Sequence, residues 1–204
     1  MTDYFALLSE PRRPWLEPEA LRQKFLALSA TVHPDRVHTL GEAERAAAHT
    51  RYTQLNAAHQ CLREPKDRLR HLLELEGVAT PTQAQRIPSD LMDLSLEIGK
   101  ACRDAERVVA EKSRTTSPLL QVQLFAREQA ALEQLQSLRR EIDARVDRLT
   151  AELKQIDAAW SVSPDSNSPE RATRLQRLGE LGMLFSYFAR WTSQMQESLV
   201  RLSI

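Results

Sequence analysis

The chain has 204 residues, 42% of them hydrophobic, with 28 basic against 28 acidic side chains. That length supports one or two domains with their own cores, and zero formal charge leaves no overall field to draw the chain to nucleic acid or an anionic membrane. No stretch approaches the roughly twenty apolar residues that span a bilayer, Met1-Thr2-Asp3-Tyr4 does not open like a signal peptide, and five glycines with few β-branched runs argue against sheet, so the expectation is an all-α, cytoplasmic protein.

Tyr4 to Leu8 reads as a short apolar turn or helix, broken by Pro11, Arg12, Arg13 and Pro14. A helical hairpin then covers about Pro18 to Glu64. Its first arm carries the stripe Leu21, Phe25, Leu28 and Val32 at gaps of four, three and four, one face of an α-helix. Pro18 suits the first turn, and Pro34 closes the arm because it disfavours helical geometry at His33. A polar stretch containing Gly41 follows. The second arm begins near Glu42, with Ala48, Tyr52, Leu55, Ala58, His59 and Leu62 along its stripe. Two such helices joined by a polar loop pack antiparallel. The arrangement places His33-Pro34-Asp35 at an exposed tip. There Asp35 offers a carboxylate to an arginine of a partner, His33 offers a titratable imidazole, and Pro34 holds the two in fixed relation.

Pro65 starts a further helix with Leu69, Leu72, Leu73 and Leu75 inward, and Gly77 stops it. Residues 78–88 are polar and proline-punctuated and read as a linker. Three long amphipathic helices follow. The first runs from Ser89 to Lys112, with Leu91, Leu94, Ile98, Ala101 or Cys102, Ala105 and Val108 inward. Ser117 and Pro118 make an N-cap and first-turn pair for the second, which reaches about Trp160 along Leu132, Leu135, Leu138, Ile142, Val146, Leu149, Leu153 and Ile156. After a loop over 161–168, Ser168-Pro169-Glu170 opens the third, striped by Leu175, Leu178, Leu181, Phe185, Phe188, Thr192, Met195, Leu199 and Leu202. Three such helices make a bundle with some coiled-coil character.

Cys61 and Cys102 stand far apart in helical patterns and read as buried free thiols of a reducing compartment. The cysteines and His33, His38, His49, His59 and His71 form no Cys-x-x-Cys or His-Glu-x-x-His arrangement, so no metal is expected. His59 and His71 lie near apolar stripes, where packing is the commoner role. A Gly-rich phosphate loop, a nucleophile elbow and a paired-carboxylate signature are all missing. The sequence therefore points to no enzyme and no cofactor.

Residues 1–77 resemble a J-domain, the four-helix module of DnaJ-type co-chaperones, and more narrowly the HscB (Hsc20) type of iron–sulfur cluster assembly. The residues that carry the likeness are Tyr4-Phe5, Leu21, Phe25, Leu28, His33-Pro34-Asp35 and the run from Leu55-Asn56-Ala57-Ala58 to Pro65, continuing through Arg68, Leu72-Leu73, Leu75 and Gly77. Ordinary J-domains lack this fourth-helix pattern. The resemblance implies an N-terminal J-domain (helical hairpin plus two short helices) over 1–77, the linker 78–88, and a C-terminal three-helix oligomerisation or scaffold-binding bundle over 89–204. It implies that His33, Pro34 and Asp35, with Arg22, Lys24 and Arg36, bind a DnaK/HscA-type chaperone and stimulate its ATPase. It also implies that the bundle binds the cluster scaffold protein.

The chain departs from that pattern in places. Positions often basic in J-domains hold Gln23, Leu26, Ala27 and Thr31, which predicts weak electrostatic steering or a dedicated chaperone with a less acidic surface. The scaffold-binding positions match in type at Leu91, Met92, Leu96 and Glu97, with Met183 nearest to the family's last-helix aromatic. The family's acidic run is replaced by Ile98-Gly99-Lys100-Ala101-Cys102-Arg103. The same five residues also fit a plain bundle core. A different client, or self-association as a homodimer through the long stripes, stays open beside the iron–sulfur reading.

Overall fold

Among the described residues, prolines open five of the eight helices. Each sits where its missing N–H costs no intrahelical bond and its fixed φ already suits a helix. The computed structural model describes residues 2–38, 41–78, 88–160 and 168–203. In chain order the helices are α1 (Tyr4–Leu7), α2 (Pro18–Thr31), α3 (Pro34–Val37), α4 (Glu42–Arg63), α5 (Pro65–Leu75), α6 (Ser89–Lys112), α7 (Pro118–Ala158) and α8 (Pro169–Leu202). Among the described residues there is no strand. The linker expected over 78–88 and the loop expected over 161–168 lie outside the described residues except for Val78, Pro88 and Ser168.

Local chemistry explains the helix ends. The Asp3 carboxylate caps α1 by accepting from the Phe5 and Ala6 N–H groups at 3.0 and 3.2 Å. The Ser168 hydroxyl accepts from the Arg171 N–H at 3.2 Å, as its place before Pro169 predicts. Gly77 takes φ +72°. With Val78 N–H donating to the Leu73 carbonyl at 2.9 Å and Gly77 N–H to that of Glu74 at 3.2 Å, α5 ends in a Schellman turn. One element differs from the sequence reading, which places a loop after the tip. There the chain instead forms the single turn of α3, because Pro34 is preset at its start and the His33 ring supplies the cap.

The chain packs as two units, one of Met1–Pro81 with Ala151–Met183 and the other of Thr82–Thr150 with Leu184–Ile204. In the first, α4 packs against α1, α2, α3 and α5, burying Phe5, Leu8, Leu21, Leu55, Ala58, Leu62, Leu69, Leu72 and Leu73, and residues 151–183 add Leu153, Leu178 and Leu181. Gly182 and Gly179 let α8 lie close to α5: a Cβ on either would sit 3.5 and 3.7 Å from Leu69 and Leu73 respectively. This unit joins J-domain-like residues to the ends of α7 and α8, so its boundaries follow packing rather than chain order. The second unit buries Leu91, Leu94, Ile98, Ala101, Cys102, Ala105 and Val108 of α6 against Leu135, Leu138 and Ile142 of α7, with Phe185, Phe188, Trp191, Met195 and Leu202 of α8. Both cysteines are free, Cys102 buried and Cys61 only half-buried. The Cys61 thiol faces the Asp67 carbonyl at 3.5 Å, and burial pushes it up to about 11.

Candidate functional site

The first unit carries a polar vertex where α2 gives way to α3. Val32 ends α2 and His33, in extended conformation, starts α3. The His33 Nδ1 accepts from the Asp35 N–H at 3.3 Å and stands 3.6 Å from the Asp35 carboxylate. The ring edge meets Tyr52 of α4 at 5.6 Å and 90°, a favourable aromatic geometry. His33 is thus braced on both sides, while the Asp35 side chain is 89% exposed. His33 is its one ion partner among the described residues. The carboxylate sits in the first turn of α3. A solvent-exposed carboxylate on a backbone held in this way suits a cation on another molecule, since little backbone ordering remains to be lost on binding.

The flanking cations divide. Arg36 is exposed and has no ion pair among the described residues, and Arg22 makes a 3.6 Å contact with Glu19 one turn back. Lys24 is held within the unit: its ammonium donates to the Ser9 carbonyl at 3.2 Å and pairs with Glu10 at 2.8 Å. That grip spans from α2 to the chain just after α1, where Ser9 takes φ +54°. The outer face of α2 next to these cations is nearly uncharged, with Leu26 44% exposed.

The unit is also anchored by buried polar groups whose contacts the sequence reading does not give. Arg68 is buried; its Nε donates to the Pro14 carbonyl at 2.8 Å and its Nη1 to that of Leu62 at 2.6 Å, and burial lowers its pKa to about 10. Arg68 and Lys154 each lie over the Trp15 ring, at 5.6 and 4.5 Å from its centroid. Asp157 is buried and accepts from the Trp15 N–H at 3.0 Å and from Arg13. The Trp160 indole donates to the Arg12 carbonyl at 2.9 Å. One signal was available: Pro14-Trp15-Leu16 places a large aromatic outside any periodic segment, where it needs cover.

His71 belongs to the same scaffold. Its Nε2 accepts the Tyr4 N–H at 3.1 Å, and its ring stacks on Tyr4 and Phe5. Burial lowers its pKa, which suits a neutral acceptor. His59 stacks on Phe25 at 4.3 Å and is also lowered, first by burial and then by Arg63 and Arg22.

Of the five residues expected to bind a scaffold, the structure places four on α6 and separates them. Leu91 is buried in the core of the second unit, because it falls on the same face as Leu94 and Ile98. Met92, Leu96 and Glu97 are exposed. Met183 is half-buried on the stretch of α8 that belongs to the first unit. Among the described residues no helix is long and apolar enough to cross a membrane, and no three His, Cys, Asp or Glu side chains gather as a metal site would need.

No family model matches the chain. Over 147 residues it is 35% identical to the co-chaperone protein HscB homolog of Bordetella pertussis, a match covering 71% of this chain and 81% of that protein. It is 31% identical over 160 residues to the HscB homolog of Vibrio cholerae, covering 74% of this chain and 92% of the other. Among solved structures, human co-chaperone protein HscB matches with a TM-score of 0.62 at 18% identity, over 97% of this chain and 82% of that one. At that identity the likeness speaks for the fold alone.

Proposed function

Because the chain belongs to the HscB co-chaperone family, we propose that it binds a DnaK/HscA-type chaperone through His33, Pro34 and Asp35 and speeds that partner's ATP hydrolysis, in iron–sulfur cluster assembly. The observation that carries this reading is the Asp35 carboxylate, 89% exposed on a backbone capped by His33, with no Lys or Arg paired to it among the described residues. A cation of the ATPase completes the pair. If the paired arrangement forms in one nucleotide state only, binding shifts the chaperone toward that state. Arg22 and Arg36 flank the contact; Lys24 supports it by holding α2 to Ser9 and Glu10. The exposed face of α6, with Met92, Leu96 and Glu97, takes the scaffold protein, and Leu91 holds that face from beneath.

Steady-state ATP hydrolysis by a DnaK-type chaperone, measured with increasing amounts of the full chain, tests the first half. Wild-type chain is expected to stimulate and His33→Gln to stimulate less at every concentration. Equal stimulation by the two would refute the role of the vertex. The scaffold half is tested by titrating the full chain with the scaffold protein.

A further inference from the structure

The exposed face of α6 does not end with Met92 and Leu96. These two are 43% and 63% exposed, and the next turns carry Lys100 and Arg103, also exposed. At the helical repeat, positions 92, 96, 100 and 103 fall within an arc of about 80°, facing away from the buried Leu91, Leu94 and Ile98. They form one strip, apolar at its N-terminal end and cationic at the other. The stems of Lys100 and Arg103 continue the apolar part before their charges begin.

The two cations differ from the rest of the helix. Further along, Arg107 pairs with Asp104 at 3.2 Å, Glu106 with Arg201 at 3.8 Å and Lys112 with Glu128 at 3.2 Å, and Glu111 pairs with Arg127. Lys100 and Arg103 make no ion pair and no side-chain hydrogen bond among the described residues. The acidic Asp93 and Glu97 lie round the helix, about 100° and 140° from Met92, beyond the edge of the strip. Gly99 adds a local detail. A glycine inside a helix is unfavourable by roughly 1 kcal/mol. Here a Cβ at position 99 would stand 3.3 Å from the Arg103 Nη1. The guanidinium therefore lies back along the helix beside Gly99, in space that a side chain there would take.

We propose that this strip docks an acidic, partly apolar segment of the partner protein. Carboxylates of the partner meet Lys100 and Arg103, and aliphatic side chains meet Met92 and Leu96. Charge complementarity selects the occupant: two unpaired cations beside exposed apolar side chains reject a basic or uncharged segment and reward a bidentate carboxylate. The proposal rests on the reading that the α6 face takes the scaffold protein, and it adds the sign of charge that such a partner must present.

The test uses the full chain and the iron–sulfur scaffold protein of the same organism, with binding followed by calorimetry at rising salt. Three variants accompany wild type: Leu96→Ser, the charge reversal Lys100→Glu with Arg103→Glu, and Gly99→Ala. Wild type is expected to bind and to weaken as salt rises. Charge reversal is expected to weaken binding by at least about tenfold, Leu96→Ser by several-fold and Gly99→Ala by less, with melting temperatures close to wild type because Leu96, Lys100 and Arg103 are exposed. If Leu96→Ser weakens binding while charge reversal and salt do not, the apolar scaffold site stands and the acidic-partner proposal is overturned. If wild type does not bind the scaffold at all, both readings fall.

Discussion

The vertex at 33–38 and the α5 segment at 65–77 use the same residue types for opposite ends. Each has a histidine that accepts a backbone N–H: His33 from Asp35 at 3.3 Å, His71 from Tyr4 at 3.1 Å. At the vertex the bond stays within three residues and leaves the neighbouring carboxylate open to solvent. In α5 it ties the chain to α1 across 67 residues and is sealed under two aromatic rings. The charged partners follow suit. Asp35 faces outward, whereas Arg68 is buried and gives its Nε and Nη1 donors to two carbonyls of its own chain. A buried polar side chain bonded within its own chain is architecture, and one left open to solvent on a held backbone is an invitation to another molecule.

Mutations at the two regions should therefore separate stability from recognition. The largest loss is expected for Arg68→Ala, which strips the Pro14 and Leu62 carbonyls of a buried donor; about 3–5 kcal/mol should disappear in urea unfolding, by analogy with broken buried charge pairs. Leu91→Ala should cost about 2–5 kcal/mol as a core truncation, against less than about 0.5 kcal/mol for Leu96→Ser on the open face. Equal melting temperatures for those two would show that α6 is turned differently. Gly77→Ala should cost about 1 kcal/mol, since the residue must keep a positive φ to close the Schellman turn.

The smallest effect is a pH dependence. The folded pKa of His71 lies below its ordinary value, chiefly through burial. Its neutral form is thus favoured in the fold, so the stability linked to it is full above the unfolded value of about 6.5 and is lost as pH falls through the folded value. His59 is shifted the same way and acts with the same sign. Melting curves from pH 7.5 to 5.5 should fall for wild type and fall less steeply for His71→Gln; identical slopes would remove His71 from the anchor.

Much of this was legible before any coordinates. The bounds of α6, α8 and α5 follow from Ser89, Lys112, Pro169, Pro65 and Gly77, because caps, prolines and a left-handed glycine act locally. The vertex could be placed because a proline between two amphipathic stripes has few alternatives. Long-range polar contacts left no such trace. Asp157 and Arg13 are 144 residues apart, and nothing in their neighbours marks either as a partner. Lys24 looked like an outward charge on α2, and only the positions of Ser9 and Glu10 show that it faces home. Leu91 and Met92 are adjacent yet fall on opposite sides of α6, as the inward stripe Leu91, Leu94 and Ile98 already implies; only the family resemblance groups the two as scaffold contacts.

The role assigned to the vertex is tested most directly by single-turnover ATP hydrolysis of a DnaK-type chaperone with wild-type and Asp35→Asn chains. The substitution removes one exposed charge and should leave the circular dichroism spectrum and melting temperature unchanged. Loss of a charge-assisted hydrogen bond of about 1.5–3 kcal/mol should lower stimulation by roughly 10- to 150-fold. Undiminished stimulation by Asp35→Asn, with the fold intact, would contradict it.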